Sequence, residues 1–461
     1  MAKYIHEIRD SIHVFIRVDS GERGVLNSRP VQRLRHIQQL ALTSLVYPAA
    51  THRRFEHSLG VMELAGRVYD VVTNSDNIHH ESVRNIVPHL GSPERAYWRR
   101  VLRMAALCHD IGHLPFSHAA ELELLPEGWD HERLTVDLIR GPEMDSLWAQ
   151  LKIRSEDVAK LAVGPKKYRD APFSDLEVIL SEIIVGNAFG VDRIDYFLRD
   201  SHHTGVSYGK FDHFRLIDTI RILPSIVQYD GRAETLSKTD SDPTNSASQS
   251  IKVVEGPPTL GIDEGGLHSA EALLLARYFM YTQLYFHQTR RIYDIHLKEF
   301  LKAWLPGGRF STNLEDHLNL TDNEVTAGFL AAARDPKSPG HDPARRIVQR
   351  EHFKRLYQRN PDDVAVNPDA AKAIYNAARI RFNEADVYYD RYKEKGRSLD
   401  FPVRDYDGRT VSCLSLSETM NSVPVVAVDY VFIRPDLLAD ADRWLKESRP
   451  TIIAPKSEEK L

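Results

Sequence analysis

Cysteine is nearly missing from this sequence. Of 461 residues only Cys108 and Cys413 carry a thiol, and no Cys-x-x-Cys pair occurs. That excludes a disulfide framework and a thiolate zinc site, and it fits a protein of the reducing cytoplasm. No apolar run reaches the roughly eighteen residues a membrane span needs. The opening residues, MAKYIHEIRDSIHVFIRVDSGERG, are charged throughout and offer no apolar segment of a secretory leader. Charge of one sign is scarce too. The formal net charge is −5, so the whole molecule has no basic field for nucleic acid. Local basic patches are left to meet phosphate. No internal repeat is visible.

What is present is a globular balance of 42% apolar and 27% charged residues, in a chain long enough for two or three structural units. Alternation of Ile12, Val14 and Ile16 predicts a strand or hairpin arm, turned by Asp19-Ser20-Gly21. Apolar residues at Val31, Leu34, Ile37 and Leu40 predict a helix from Val31 to Leu45. Further helices are expected at about 55–72, through VLRMAALCHDIG to near Gly112, at 131–140, 146–162 and 174–188, and in VDRIDYFLRDSHH. RAETLSKTDSDPTNSASQS is polar and reads as an exposed loop or hairpin insertion. Helical pattern returns in SAEALLLARYFMYTQLYFHQTRRIYDIHLKEFLKAWL and continues at about 343–358 and 369–381. Its aromatic run reads as core, with Tyr293 able to approach a base. VPVVAVDYVFIRP predicts a late strand, and ESRPTIIAPKSEEKL a loose tail.

One stretch departs from packing logic. LCHDIGHLPFSH, residues 107–118, places three histidines and an aspartate in one segment. Adjacent His109 and Asp110 point about 100° apart on a helix and can still reach one ion near its end. A divalent cation of intermediate hardness accepts this mixture of imidazole and carboxylate. Two ligands make a weak site. HRRFEHSLGV adds His57 beside Arg53 and Arg54, and GVDRIDYFLRDSHH adds Asp192, Asp195 and Asp200.

In this order RFEHSLGV, HDIGHLPFSHAAE, the His131-Glu132 pair and DRIDYFLRDSHHTGV resemble the motifs of the HD-domain phosphohydrolases. The resemblance is strongest to the deoxynucleoside triphosphate triphosphohydrolases. RPVQRLRHIQQL and LLLARYFMYTQLYFHQT extend it to about residues 5–300, and more weakly to 435. It implies a mainly α fold: an HD-domain helical core with a few short strands and a smaller α+β C-terminal region. The expected divisions are a strand arm at 1–30, the HD core at 31–225, the polar insertion at 226–258, a helical extension at 259–340, the α+β region at 341–445 and the tail at 446–461.

Carried over by position, the resemblance makes His57, His109, Asp110 and Asp192 the metal ligands. His131 becomes the acid or relay, oriented by Glu121, with His113 and His118 facing the phosphates. Arg54 and Arg193 would bind phosphate, Gln39 would lie near the sugar, and Tyr196 and Asp200 would line the substrate site. The implied reaction is metal-dependent hydrolysis of a dNTP to deoxynucleoside and tripolyphosphate. His and Asp ligands suit manganese, iron, nickel or zinc, with magnesium beside the phosphates. Implied partners are dNTPs, a regulatory nucleotide and further copies of the chain. The rival readings are an HD phosphohydrolase acting on another nucleotide or phosphoester, and a non-catalytic module holding a nucleotide or single-stranded nucleic acid. Each residue also has a structural reading. Asp195 and Asp200 can simply pair with arginines, His202 and His203 can shape the loop before Gly205, and the QRLRHIQQL stripe can be a solvated helix face, although related residues in the family lie at a subunit contact and a regulatory nucleotide site.

Overall fold

The long helix Arg54–Val72 is buried on almost every side, including Phe55, Leu59, Met62, Ala65 and Tyr69. A helix apolar all round belongs at the centre of a helical layer. It packs against the helices Pro93–Cys108 and Val191–Thr204. The computed structural model describes residues 5–117, 121–229, 252–393 and 399–454, and the chain over them is mainly α. His118 and most of the polar insertion lie outside the described residues. No helix among the described residues is long and apolar enough to cross a membrane.

Local chemistry sets the helix ends. Ser92 accepts the Arg95 N–H with Pro93 in the first turn, and Asp130 accepts from Arg133 N–H to start His131–Ile139. Ser174 and Glu177 form a capping box at the start of Asp175–Val185. Gly205, at φ 77°, closes Val191–Thr204 in the left-handed region. Two helices, Pro142–Leu151 and Ser155–Val163, replace the single one expected over 146–162, because Lys152 is left-handed at φ 56°.

Two other expectations are corrected. The helix expected from Val31 to Leu45 is broken into Arg29–Arg33 and tight turns at Leu34–His36 and Ala41–Leu45. Val31, Leu34, Ile37 and Leu40 are all buried as their spacing requires. The backbone between them bonds elsewhere: Gln38 bridges to Arg53, and its N–H donates to Asp322 at 2.7 Å. The helix expected at 343–358 ends at Val348, Arg350 turns left-handed at φ 60°, and Lys354–Gln358 is a strand. The loose tail expected from 446 is a helix as far as Ile453, with Leu445 and Ile453 buried, and residues 455–461 lie outside the described residues.

Three small antiparallel or mixed sheets flank the helices. His6–Asp10 and Val14–Val18 form an N-terminal hairpin. Ile220–Tyr229 pairs with Lys252–Asp263, which continues to Pro402–Arg404 in parallel and then Thr410–Ser412. Ala427–Ile433 is the centre of a three-stranded sheet, between Lys354–Gln358 and Val387–Lys393. Phe353, Val428, Tyr430 and Phe432 pack this last sheet onto Ile292 of the helix Gln288–Trp304. That helix is preceded by a wide π turn, Met280–Tyr285, which breaks the expected continuous helix.

Candidate metal and phosphate site

Three helices bring four side chains to one point. His57 comes from the first turn of Arg54–Val72, His109 and Asp110 from the end of Pro93–Cys108, and Asp192 from the first turn of Val191–Thr204. Ligand atoms of His57, His109 and Asp110 lie within 4.8 Å of one another. Asp192 Oδ1 is 3.0 Å from His57 Nε2 and 3.5 Å from His109 Nε2. The other ring nitrogens are occupied: His109 Nδ1–H donates to the Ala106 carbonyl at 2.8 Å, and His57 Nδ1–H to Asp195 at 2.8 Å. Both Nε2 atoms therefore face inward, toward Asp192. His109 Nε2 is buried and has no hydrogen-bond partner among the described residues. A mixed imidazole and carboxylate set with an orphaned buried nitrogen fits a divalent cation.

The electrostatics agree. Burial opposes charge on His57, yet hydrogen bonds to Asp192 and Asp195 outweigh it and push its pKa up to about 10. Burial likewise opposes ionisation of Asp110, but Arg54, His109 and His113 hold it well below the usual carboxylate range. Without a metal ion the cluster gathers protons between its carboxylates, and a cation would displace them.

A buried network stands behind His57. Asp195 accepts from His13 Nε2 at 2.7 Å and from Arg199 Nε at 2.8 Å, and Arg199 reaches Asp10 at 2.9 Å. Asp195 does pair with an arginine, as its spacing allowed, but it also fixes the His57 ring. His13 and Asp10 lie on the N-terminal hairpin, and no sequence spacing linked them to the site.

Beside the cluster lies a second group of basic side chains. Arg54 donates from Nη1 to Asp110 at 2.5 Å and from Nε to Ser117 Oγ at 2.9 Å. His113 Nε2 is 3.1 Å from Asp110, and its ring stacks on His131 at 4.0 Å between centroids. His131 Nδ1 is 2.6 Å from Glu121, which also accepts the His131 backbone N–H at 2.6 Å. Burial disfavours charge on both rings. Glu121 nonetheless raises the His131 pKa, while Arg54 and His131 add to burial and drive His113 well below its ordinary value.

Arg54, His109, Asp110, His113, His131 and Asp192 border a cavity of about 1400 Å³. Gln39, Arg193, Tyr196 and Asp200 line it with them. Asp200 is already engaged, accepting from His52 Nε2 and Tyr285 OH at 2.7 Å each. His203 stacks on His52 at 4.4 Å, which matches a loop-shaping role. Arg193 donates to the carbonyls of Gly186 and Asn187. The aromatic run reads as core, and Met280 and Leu284 are buried there, yet Tyr281, Tyr285 and Phe286 line the cavity, with Tyr285 edge-on to Tyr196. Tyr293, which the sequence leaves able to approach a base, is fully buried against His352, as the core reading has it. Arg290, Lys167 and Glu132 also line the cavity. Sequence reasoning passed over the first two, because lysines and arginines in helices and loops are usually solvated.

Comparison with known proteins follows this geometry. Residues 54–164 match the HD domain, and residues 249–387 match the HD associated region. An uncharacterized protein of Methanocaldococcus jannaschii is 33% identical over 291 residues, 63% of this chain and 48% of that protein. Deoxynucleoside triphosphate triphosphohydrolase SAMHD1 of Gallus gallus is 28% identical over 392 residues, 77% of this chain and 56% of that enzyme. This chain thus spans about half the length of both curated relatives. The crystal structure of a hypothetical protein from Aquifex aeolicus superposes with a TM-score of 0.73 at 29% identity, over 96% of this chain and 100% of that one.

Proposed function

This chain belongs to the HD-domain phosphohydrolases and is homologous to the SAMHD1 triphosphohydrolases, and from that premise we propose that it hydrolyses deoxynucleoside triphosphates to deoxynucleoside and tripolyphosphate. The observation that carries this reading is the convergence of His57, His109 and Asp110 on one point, with Asp192 against both imidazoles. His57, His109, Asp110 and Asp192 would hold the metal, of which manganese, iron, nickel, zinc and magnesium are the candidates. When bound, a divalent cation there supplies neutralisation of phosphate charge and a lowered pKa for water.

The chain's own residues do the rest. Arg54 is anchored by Asp110 and Ser117, which points the guanidinium across the mouth of the cluster toward a phosphate oxygen. Arg193, and His113 with His118, complete the phosphate contacts. Gln39, Tyr196 and Asp200 face the sugar. Water attacks the α-phosphorus, the bond from phosphorus to the 5′ oxygen breaks, and that oxygen needs a proton. His131 is suited to supply it. Against burial, Glu121 raises its pKa and favours the protonated ring, while burial, Arg54 and His131 lower that of its stacked neighbour His113. Two stacked imidazoles with pKa values driven apart are a means of assigning acid and neutral partner.

The sequence resemblance extends this reading to a homo-oligomer responsive to a regulatory nucleotide, which sedimentation velocity with and without dNTP tests. The reaction itself is tested by incubating the protein with each dNTP and manganese or magnesium and resolving products by ³¹P NMR. Tripolyphosphate with unphosphorylated deoxynucleoside is the expected pair. Pyrophosphate with deoxynucleoside monophosphate, or orthophosphate with the diphosphate, would reject it.

A further inference from the structure

We propose that Asp322 is a positioning residue of this site: its two carboxylate oxygens clamp, from behind, the two loops that present Gln39 and the Ser117–Arg54 contact to the cavity. The inference rests on the roles given above to Arg54 and Gln39.

Asp322 is the first residue of the helix Asp322–Ala332 and is 1% exposed. An aspartate there ordinarily serves its own helix, as a cap or against the helix dipole. Here that work is done by others. Thr321 accepts the Asn323 N–H, and Glu324 folds back onto the Thr321 N–H at 2.7 Å. The Asp322 carboxylate turns away instead. One oxygen accepts the Gln38 N–H at 2.7 Å, and the other accepts the Phe116 N–H at 2.8 Å. A carboxylate this buried is costly unless each oxygen is bonded, and these two charge-assisted bonds run to segments 284 and 206 residues away in sequence.

Both bonded segments are irregular and both carry site residues. Phe116 and Ser117 are consecutive non-glycine residues in the left-handed region, at φ 56° and 58°. Such backbone is strained for residues with a side chain and persists where surroundings over-determine it. Ser117 holds the Arg54 Nε, and Arg54 holds Asp110. On the other side, the Gln38 segment has little regular structure of its own. The Ile37 carbonyl accepts the Arg54 N–H at 3.0 Å, and the Gln39 N–H donates to the His52 carbonyl at 3.0 Å. The same strip of chain makes a second tie: Arg33 spans from the Leu320 carbonyl to the His113 carbonyl, both at 2.8 Å. Asp322 touches none of the four proposed ligands, so its loss moves the phosphate and sugar contacts and leaves the cation set in place.

The test compares the full-length wild type with Asp322→Asn, whose amide keeps one acceptor and turns a donor toward the other N–H, and with Asp322→Glu, which keeps the charge but displaces it. Hydrogen exchange is followed in peptides covering 36–40 and 112–117, with bound metal, melting temperature and kcat/KM recorded alongside. Both peptides should lose protection together in both variants, with metal stoichiometry unchanged and kcat/KM down about tenfold or more, the scale of a misplaced binding group. Ser117→Ala should lower kcat/KM by itself and add little to Asp322→Asn. Exchange rising in one loop only or in neither, loss of metal, or full additivity of the two substitutions would overturn the proposal. A wild type that hydrolyses no dNTP would remove the proposed function while the exchange result still decides the clamp.

Discussion

Asp195 touches His13, His57 and Arg199 at once and reaches no solvent. Its part is to hold the His57 ring so that Nε2 faces the cluster, and outer partners of this kind tune metal affinity about 10–100-fold. Asp195→Asn is therefore expected to weaken metal binding by about that factor, measured by competition with a chromophoric chelator. It should also cost about 3–5 kcal/mol in urea unfolding, because Arg199 is left with fewer buried acceptors. Unchanged metal affinity would contradict the orienting role. At this scale the sequence showed the ligand types and little of their support. His57, His109-Asp110 and Asp192 stand in short motifs, and the family resemblance, more than residue chemistry, separates Asp192 from Asp195 and Asp200 beside it. His13 and Asp10 reach the site only because the N-terminal hairpin folds back over it, and no local spacing encodes that contact.

Elements meet closely where Arg54–Val72 crosses Val191–Thr204. A Cβ on Gly60 would lie 1.9 Å from Asp195 Oδ1 and 2.5 Å from Arg199 Nη2. Gly60 thus permits the approach that lets Asp195 reach His57. Gly60→Ala would improve helix propensity by about 1 kcal/mol in isolation. Here it is expected to destabilise by about 1–3 kcal/mol and to lower metal affinity as well, read by thermal unfolding with and without manganese. A stabilised variant with normal metal binding would show that the crossing has slack. Helices with a continuous buried face, such as 54–72 and 191–204, were legible from apolar spacing. The segments 31–45 and 343–358 were not. In both, the spacing reports burial correctly, as at Ile37 and Phe353, but the backbone pairs with remote partners: Asp322 and Arg53 in the first, the strand Ala427–Ile433 in the second. Periodicity carries no information about such partners.

Across the whole molecule the C-terminal sheet and the HD core share one wall of the cavity. Arg291 of the Gln288–Trp304 helix pairs with Asp390 at 2.7 Å, and His296 of the same helix accepts the Phe353 N–H. His296 belongs to a set of histidines buried away from the cation cluster. Burial lowers the pKa of His296 and of His317, and burial with Lys354 lowers His352 to about 4. The sign follows from linkage. Their folded pKa values lie below the roughly 6.5 of an unfolded histidine, so this stability is present above about pH 6.5 and is lost as pH falls toward the folded values. Each contributes a slope of up to about 1.4 kcal/mol per pH unit. His57, His109 and His131, raised instead of lowered, act with the opposite sign but equally in wild type and variant, so acidification from about pH 7 to 5.5 should cost the wild type more urea stability than it costs His317→Gln. Equal changes would contradict the lowered pKa of His317.

Every functional statement depends on one cation held jointly by three helices. The most direct measurement is metal stoichiometry by elemental analysis, on wild type and on the double variant His109→Ala, Asp110→Ala, each purified with manganese and shown folded by circular dichroism. One ion per wild-type chain and none in the double variant is the expected result. Retention of the ion by the double variant, or a wild type that binds none, would contradict it.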